Sequence, residues 1–188
     1  MRVTFTICFV VAVLAISLPS AMSAATIYTA TLLGANEVPP TGSTATGSIL
    51  VTLNGNTLSV NETFSGLTTP ASAAHIHCCG PVGVNEPVAV PFTGFPNATS
   101  GMYMNSFDLT LASSYTAAFV AANGGTAASA EAAFIASLNS FQTYANIHNA
   151  TFPGGEIRGQ LVPEPATIGM LLLGLTAMVG RRLGRRLQ

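Results

Sequence analysis

The sequence predicts a mainly β fold, an antiparallel β-sandwich of about eight short strands accompanied by one or two Ala-rich helices. Three observations carry this expectation. Short runs alternate apolar and polar residues with the period of a strand. Turn signals separate the runs, Asn54-Gly55-Asn56 foremost among them. One stretch, from Ser113 to Leu138, abandons the alternation for an Ala-rich composition.

In chain order, Thr26–Leu33 sets Ile27, Tyr28 and Leu32 among threonines. Gly47–Leu53 and Thr57–Phe64 flank the Asn-Gly-Asn turn and read as a hairpin. In the second arm Leu58, Val60 and Glu62 share one face, and Thr57, Ser59, Asn61 and Thr63 share the other. Ala73–Cys78, Val88–Phe92, Met102–Leu111, Gln142–His148 and Glu156–Leu161 complete the strands. Ser113–Asn123 and Thr126–Leu138, parted by Gly124-Gly125, are the expected helices, covering an edge or end of the sandwich.

Strand periodicity then sorts the polar residues. His75 and His77 oppose Ala74, Ile76 and Cys78. Tyr144, Asn146 and His148 oppose Ala145 and Ile147, while Glu156, Arg158 and Gln160 oppose Ile157, Gly159 and Leu161. The apolar sets must face the core, so the polar sets are expected on faces away from it. If the three strands share a sheet, they make one polar patch.

Besides binding some other ligand, that patch has two readings. Histidines at i and i+2 on a strand stand about 7 Å apart and can converge on one ion. With His148 as a third nitrogen ligand, His75 and His77 would suit copper or zinc. In the other reading the same groups form a hydrogen-bonded network. Asn146 and Glu156 would partner the imidazoles, and Arg158 would take Glu156 or Glu37 as counter-ion. Cys78 and Cys79 follow directly; they could be free thiols, a disulfide between neighbours, or links between chains. The adjacent-residue disulfide is the favoured expectation, with Gly80-Pro81 supplying the turn.

Charge excludes whole classes of function. The chain has 188 residues with 6 basic and 7 acidic side chains, and charged residues make up 7% of it against about 25% in ordinary domains. Between Thr26 and Val162 stand six acids and a single base, Arg158. One cation cannot neutralise a run of phosphates, so no nucleic-acid partner is expected. Neither a phosphate-cradling Gly-Lys loop nor a G-x-S-x-G elbow is present, and no spacing singles out a carboxylate pair. The expectation is that the protein is not an enzyme.

The two ends read as addresses. Arg2, an apolar run from Val3 to Leu18 and small residues beyond Pro19 read as a signal peptide over residues 1–24, cut by signal peptidase after Ala24. At the other end Pro163-Glu164-Pro165 precedes a short apolar helix over about 166–180 and the cluster Arg181, Arg182, Arg185, Arg186. Fifteen residues of helix reach about 22 Å, short for a bilayer core of about 30 Å, which they could just span with the snorkelling arginines and flanking prolines included. The arginines should stay cytoplasmic and leave residues 25–161 outside.

This tail, residues 162–188, resembles the PEP-CTERM sorting signal of Gram-negative bacteria. The resemblance implies processing by an exosortase-type membrane peptidase, then release or transfer to the cell surface. Such proteins are associated with extracellular polymer and biofilm matrices. The body resembles the CHRD domain through Gly34-Ala35-Asn36-Glu37-Val38-Pro39-Pro40, Ala73-Ala74-His75-Ile76-His77, Tyr144-Ala145-Asn146-Ile147-His148 and Pro153-Gly154-Gly155-Glu156-Ile157-Arg158-Gly159-Gln160-Leu161. This implies an extracellular β-rich module with no established catalytic activity. The expected function is therefore an exported binding or structural module, at the cell surface or in the matrix. Its expected partners are polysaccharide or other matrix proteins, and the membrane through the C-terminal helix. The alternative is an extracellular metal-binding protein.

Overall fold

The computed structural model describes residues 25–164. The expected signal peptide, Pro165 of the sorting triplet and the helix expected over 166–180 lie outside the described residues. Among the described residues no helix is long and apolar enough to cross a membrane.

The described residues form nine strands and two α-helices. The strands are β1 (Thr26–Leu33), β2 (Thr46–Asn54), β3 (Thr57–Ser65), β4 (Ala71–Cys78), β5 (Val88–Pro91), β6 (Gly101–Asp108), β7 (Thr143–Asn149), β8 (Ile157–Gln160) and β9 (Val162–Pro163). All pair antiparallel in one sheet of order β5-β4-β7-β8-β1-β2-β3-β6, with β9 added beside β1. The sheet curls so that its two ends meet across the core. Phe92, just past β5, stacks on Tyr103 and Phe107 of β6 at 5.1 and 6.1 Å between ring centres. All eight expected strands are present, and the sandwich is this one sheet folded over itself.

The boundaries follow local chemistry. β6 stops at Asp108, three residues before the expected end, because that carboxylate accepts from the Thr110 amide and hydroxyl and turns the chain. The first helix, α1 (Ala117–Ala122), starts later than expected because Thr116 is its N-cap, accepting from the Phe119 amide at 3.2 Å. Thr126 and Ser129 form a capping box at the start of α2 (Ala127–Asn139). Phe119 and Phe134 bury the helices against Tyr115, and Tyr28 of β1 donates to Asn139 at 2.7 Å.

The inward faces are apolar as the alternation requires: Tyr28 and Leu32, Ile49 and Val51, Leu58 and Val60, Ile76, Ile147, Ile157 and Leu161 are all buried. Glu62 is the exception. It sits on the inward face of β3, opposite Ile49 and Tyr103, at 0% exposure. Neither of its carboxyl oxygens has a hydrogen-bond partner, and burial pushes the carboxyl up to about 8. Close packing also fixes Gly159 of β8, where a Cβ would stand 2.6 Å from the Thr31 carbonyl oxygen.

The polar faces of β4, β7 and β8 point away from the core, as the alternation requires, and are partly covered. The loops preceding β2 and β5 fold over them, and His77, Asn146, Glu156 and Arg158 are all buried. Asn149, at the end of β7, is likewise buried.

Candidate metal centre

Strands β4, β7 and β8 are neighbours, and their register sets the polar residues side by side. His75 stands opposite Asn146, His77 opposite Tyr144, and Asn146 opposite Arg158. His148 lies two residues beyond Asn146 on the same face. One ring nitrogen from each of His75, His77 and His148 lies within 4.8 Å of the other two. Ring centres are 5.0 to 6.0 Å apart.

Hydrogen bonds fix the state of two of these rings. His77 Nδ1 lies 2.6 Å from the Glu86 carbonyl oxygen, and His148 Nδ1 lies 3.0 Å from that of Pro153. A carbonyl only accepts, so each Nδ1 carries the proton and donates it. Burial lowers the pKa of both rings, which favours the neutral form. Each Nε2 is then a bare lone pair. Each Nε2 lies at hydrogen-bond distance, 2.9 Å, from the side-chain amide of Asn146. His75 is the third ring. Its Nδ1 is buried without a partner, and burial with the two neighbouring imidazoles drives its pKa down to about 4.

The wall behind the imidazoles is layered. The His77 ring lies flat on Tyr144 with centres 4.6 Å apart and planes 3° from parallel. The Arg158 guanidinium covers the same tyrosine ring, its carbon 3.4 Å from the ring centre. Arg158 donates to the Asn85 side chain at 2.8 Å and to the Val84 carbonyl at 2.5 Å, which holds the loop before β5 over the site. Glu37 brings a buried carboxyl to the other side of Asn146. Burial raises it to about 7 against the pull of Arg158, the Val38 amide and Asn146. Gly155, at φ +125°, permits this approach, because a Cβ there would strike both the Glu37 carboxyl and the Asn146 amino group.

The structure thus brings His75, His77, His148 and Asn146 to one point, with Arg158 and Glu37 behind them. It takes Glu156 elsewhere. That carboxylate accepts from the Thr68 amide and hydroxyl, the Ser43 hydroxyl and Asn149, so it joins the loops before β2 and β4 instead of partnering an imidazole or Arg158. Cys78 ends β4 one residue past His77, and its sulfur is bonded to that of Cys79. Pro163 lies in β9, and the Glu164 amide donates to the Ile27 carbonyl at 2.8 Å. The carbonyl partners of His77 and His148, and the Val84 and Asn85 contacts, have no counterpart in the sequence reading. Main-chain groups leave no residue-type signature, although Tyr144 was visible as a member of the same strand face.

Comparison with known proteins accords with this architecture. A model of the CHRD domain matches residues 28–161, and a model of the PEP-CTERM protein-sorting motif matches residues 161–186. No curated protein and no solved structure matches the chain. The sorting motif indicates export and membrane-associated sorting in Gram-negative bacteria, with processing by exosortase-type machinery. The first match takes in every strand of the polar cluster and well over half of the sequence, and on that ground the chain belongs to the CHRD domain family.

Proposed function

We propose that the protein is a cell-surface or matrix-resident module whose CHRD domain holds one copper or zinc ion through His75, His77 and His148. The convergence of three imidazole nitrogens within 4.8 Å carries this reading. Tetrahedral or tetragonal binding needs nitrogens about 3–4 Å apart around an ion at about 2.0–2.1 Å, so a closure of roughly 1 Å completes the set. The chemistry of the rings supports it. Metal ligation requires the unprotonated nitrogen, and a carbonyl accepting from the opposite nitrogen holds that tautomer. Here two main-chain carbonyls do so, and burial keeps protons from competing for the lone pairs.

Export places such a module where free metal is encountered, and the sorting motif directs it there. Residence at the surface or in the matrix is part of the same proposal. Equilibrium dialysis of the exported protein against copper and against zinc tests the binding. The expected result is about one ion retained per chain, lost in His75→Ala. No retention, or retention unaffected by that substitution, would overturn the reading.

A further inference from the structure

The sheet ends in two strands, β5 and β6, and they are finished differently. β5 is four residues long, stops at Pro91 and meets β4 through a register shift. The Thr116 amide and hydroxyl occupy its Ala89 and Val88 carbonyls at 3.0 and 2.6 Å. Shortness, a proline, an irregular register and a covering segment are the devices by which natural sheets blunt an edge. β6 has none of them. It is eight residues long, pairs with β3 without a break in register, and contains no proline and no basic residue.

Hydrogen bonds fix which β6 groups face outward. Alternate residues of an antiparallel strand turn both main-chain groups toward the same neighbour. Leu109, directly after β6, donates its amide to the carbonyl of Asn56, directly before β3, at 2.8 Å. Stepping back by two, Phe107, Asn105 and Tyr103 bond to β3, while Asp108, Ser106, Met104 and Met102 face away from it. Two bonds agree with this phase. The Asp108 carbonyl accepts from the Leu111 amide at 3.1 Å, and the Ser106 amide donates to the Asn105 side chain at 2.8 Å. The amides and carbonyls of Met102 and Met104 have no partner on that side among the described residues. Both side chains are exposed, at 59% and 65%, and Met104 shares a row across the sheet with Asn61 and the exposed Leu50.

An extended segment is what satisfies such a row, and the strand is complementary to itself. From Gly101 to Phe107 it carries no charge, so two copies running antiparallel set no like charges opposite each other. With Met104 on a two-fold axis, Met104 meets Met104, Met102 meets Ser106, and Gly101 meets Phe107. Asp108 then falls opposite Ser100 and away from its own copy. We infer that the protein forms a two-fold dimer in which β6 pairs with β6 of a second copy, joining two sheets into one. The Ser106 amide leaves Asn105 for the partner's Met102 carbonyl. Each chain uses up its open edge while β5 stays closed at the far ends, so association stops at two chains and does not run on as a fibre. The histidine cluster, on β4 and β7, takes no part.

Sedimentation velocity of the mature protein from the exported fraction, run from low to high micromolar concentration, compares wild type with Met104→Lys and Met104→Pro. Both substitutions replace an exposed side chain at an amide that β3 does not use, so the single chain should fold as before. Lysine sets two like charges at the axis, and proline removes the pairing amide. Wild type should pass from one to two chains per particle as concentration rises, and both variants should stay at one. Hydrogen exchange on wild type supplies a readout that needs no variant: the Met102 and Met104 amides should be protected at high concentration and exchange freely at low. A wild type that remains a single chain at every concentration overturns the inference. So does a dimer that survives both substitutions, or one in which these two amides still exchange freely.

Discussion

Glu62 offers a quantitative test of the packing, because its carboxyl is buried without a partner on the inward face of β3. The perturbation is Glu62→Gln, which keeps the shape and removes the ionisation. Burial raises the native carboxyl from 4.5 to about 8. Between those values the native state binds more protons than the unfolded chain, so stability falls as pH rises through the interval and levels off above it. At about 1.4 kcal/mol per pH unit the full loss is on the order of 5 kcal/mol, and about 3 kcal/mol of it has accrued by pH 7. That is a large share of an ordinary domain's stability of about 5–15 kcal/mol. Urea unfolding of metal-free wild type and Glu62→Gln from pH 5 to 9 measures the effect. Glu37, also raised, and the lowered imidazoles titrate in both proteins and cancel in the difference. The two profiles should coincide near pH 5 and diverge upward, with the variant more stable by about 3 kcal/mol at neutral pH. Parallel profiles would refute the assignment of an unpaired carboxyl to this core.

Three further outcomes are expected. Glu156→Ala leaves the Thr68 amide, the Ser43 hydroxyl and Asn149 without their acceptor and should cost about 3 kcal/mol or more in urea unfolding; a change below 1 kcal/mol would contradict its place as a hub. Gly159→Ala puts a methyl against the Thr31 carbonyl and Ala30 where β8 meets β1. It should lower the melting temperature sharply or prevent folding, and a stability like that of wild type would contradict the close approach. Thiol titration of the unreduced, unfolded mature protein should find no reactive Cys78 or Cys79, with two thiols per chain appearing after reduction; free thiols before reduction would exclude the disulfide.

Much of this architecture was legible in the residue pattern. The period-two runs located all eight main strands, because an inward apolar face imposes alternation wherever one side of a sheet is buried. The Asn-Gly-Asn turn located the β2–β3 hairpin, and the Ala-rich stretch located both helices. The same periodicity put His75 and His77 on one side of β4, and Asn146 and His148 on one side of β7. It could not reveal what lies above that side. The loops carrying Glu37 and Val84–Glu86 cover it through main-chain carbonyls and a single arginine, contacts that join residues up to 122 positions apart. Hence the alternation gave the side of the sheet but not the cover over it. For the same reason Glu156 was grouped with the imidazoles: it shares the alternation of β8, but it sits before the strand begins and its carboxylate reaches the loops before β2 and β4 instead. Glu62 shows the converse. Its face was assigned with Leu58 and Val60, yet the absence of any partner there emerges only from the packing of β2 and β6 around it.

The central claim, that three imidazoles drawn from two neighbouring strands hold one ion, is tested most directly by native mass spectrometry of the mature protein isolated from the exported fraction with copper supplied in the growth medium. A single species carrying one copper per chain is expected, reverting to the bare mass in the combined His75→Ala and His148→Ala variant. A wild-type protein that keeps its bare mass under those conditions, or a double variant that still carries the ion, contradicts it.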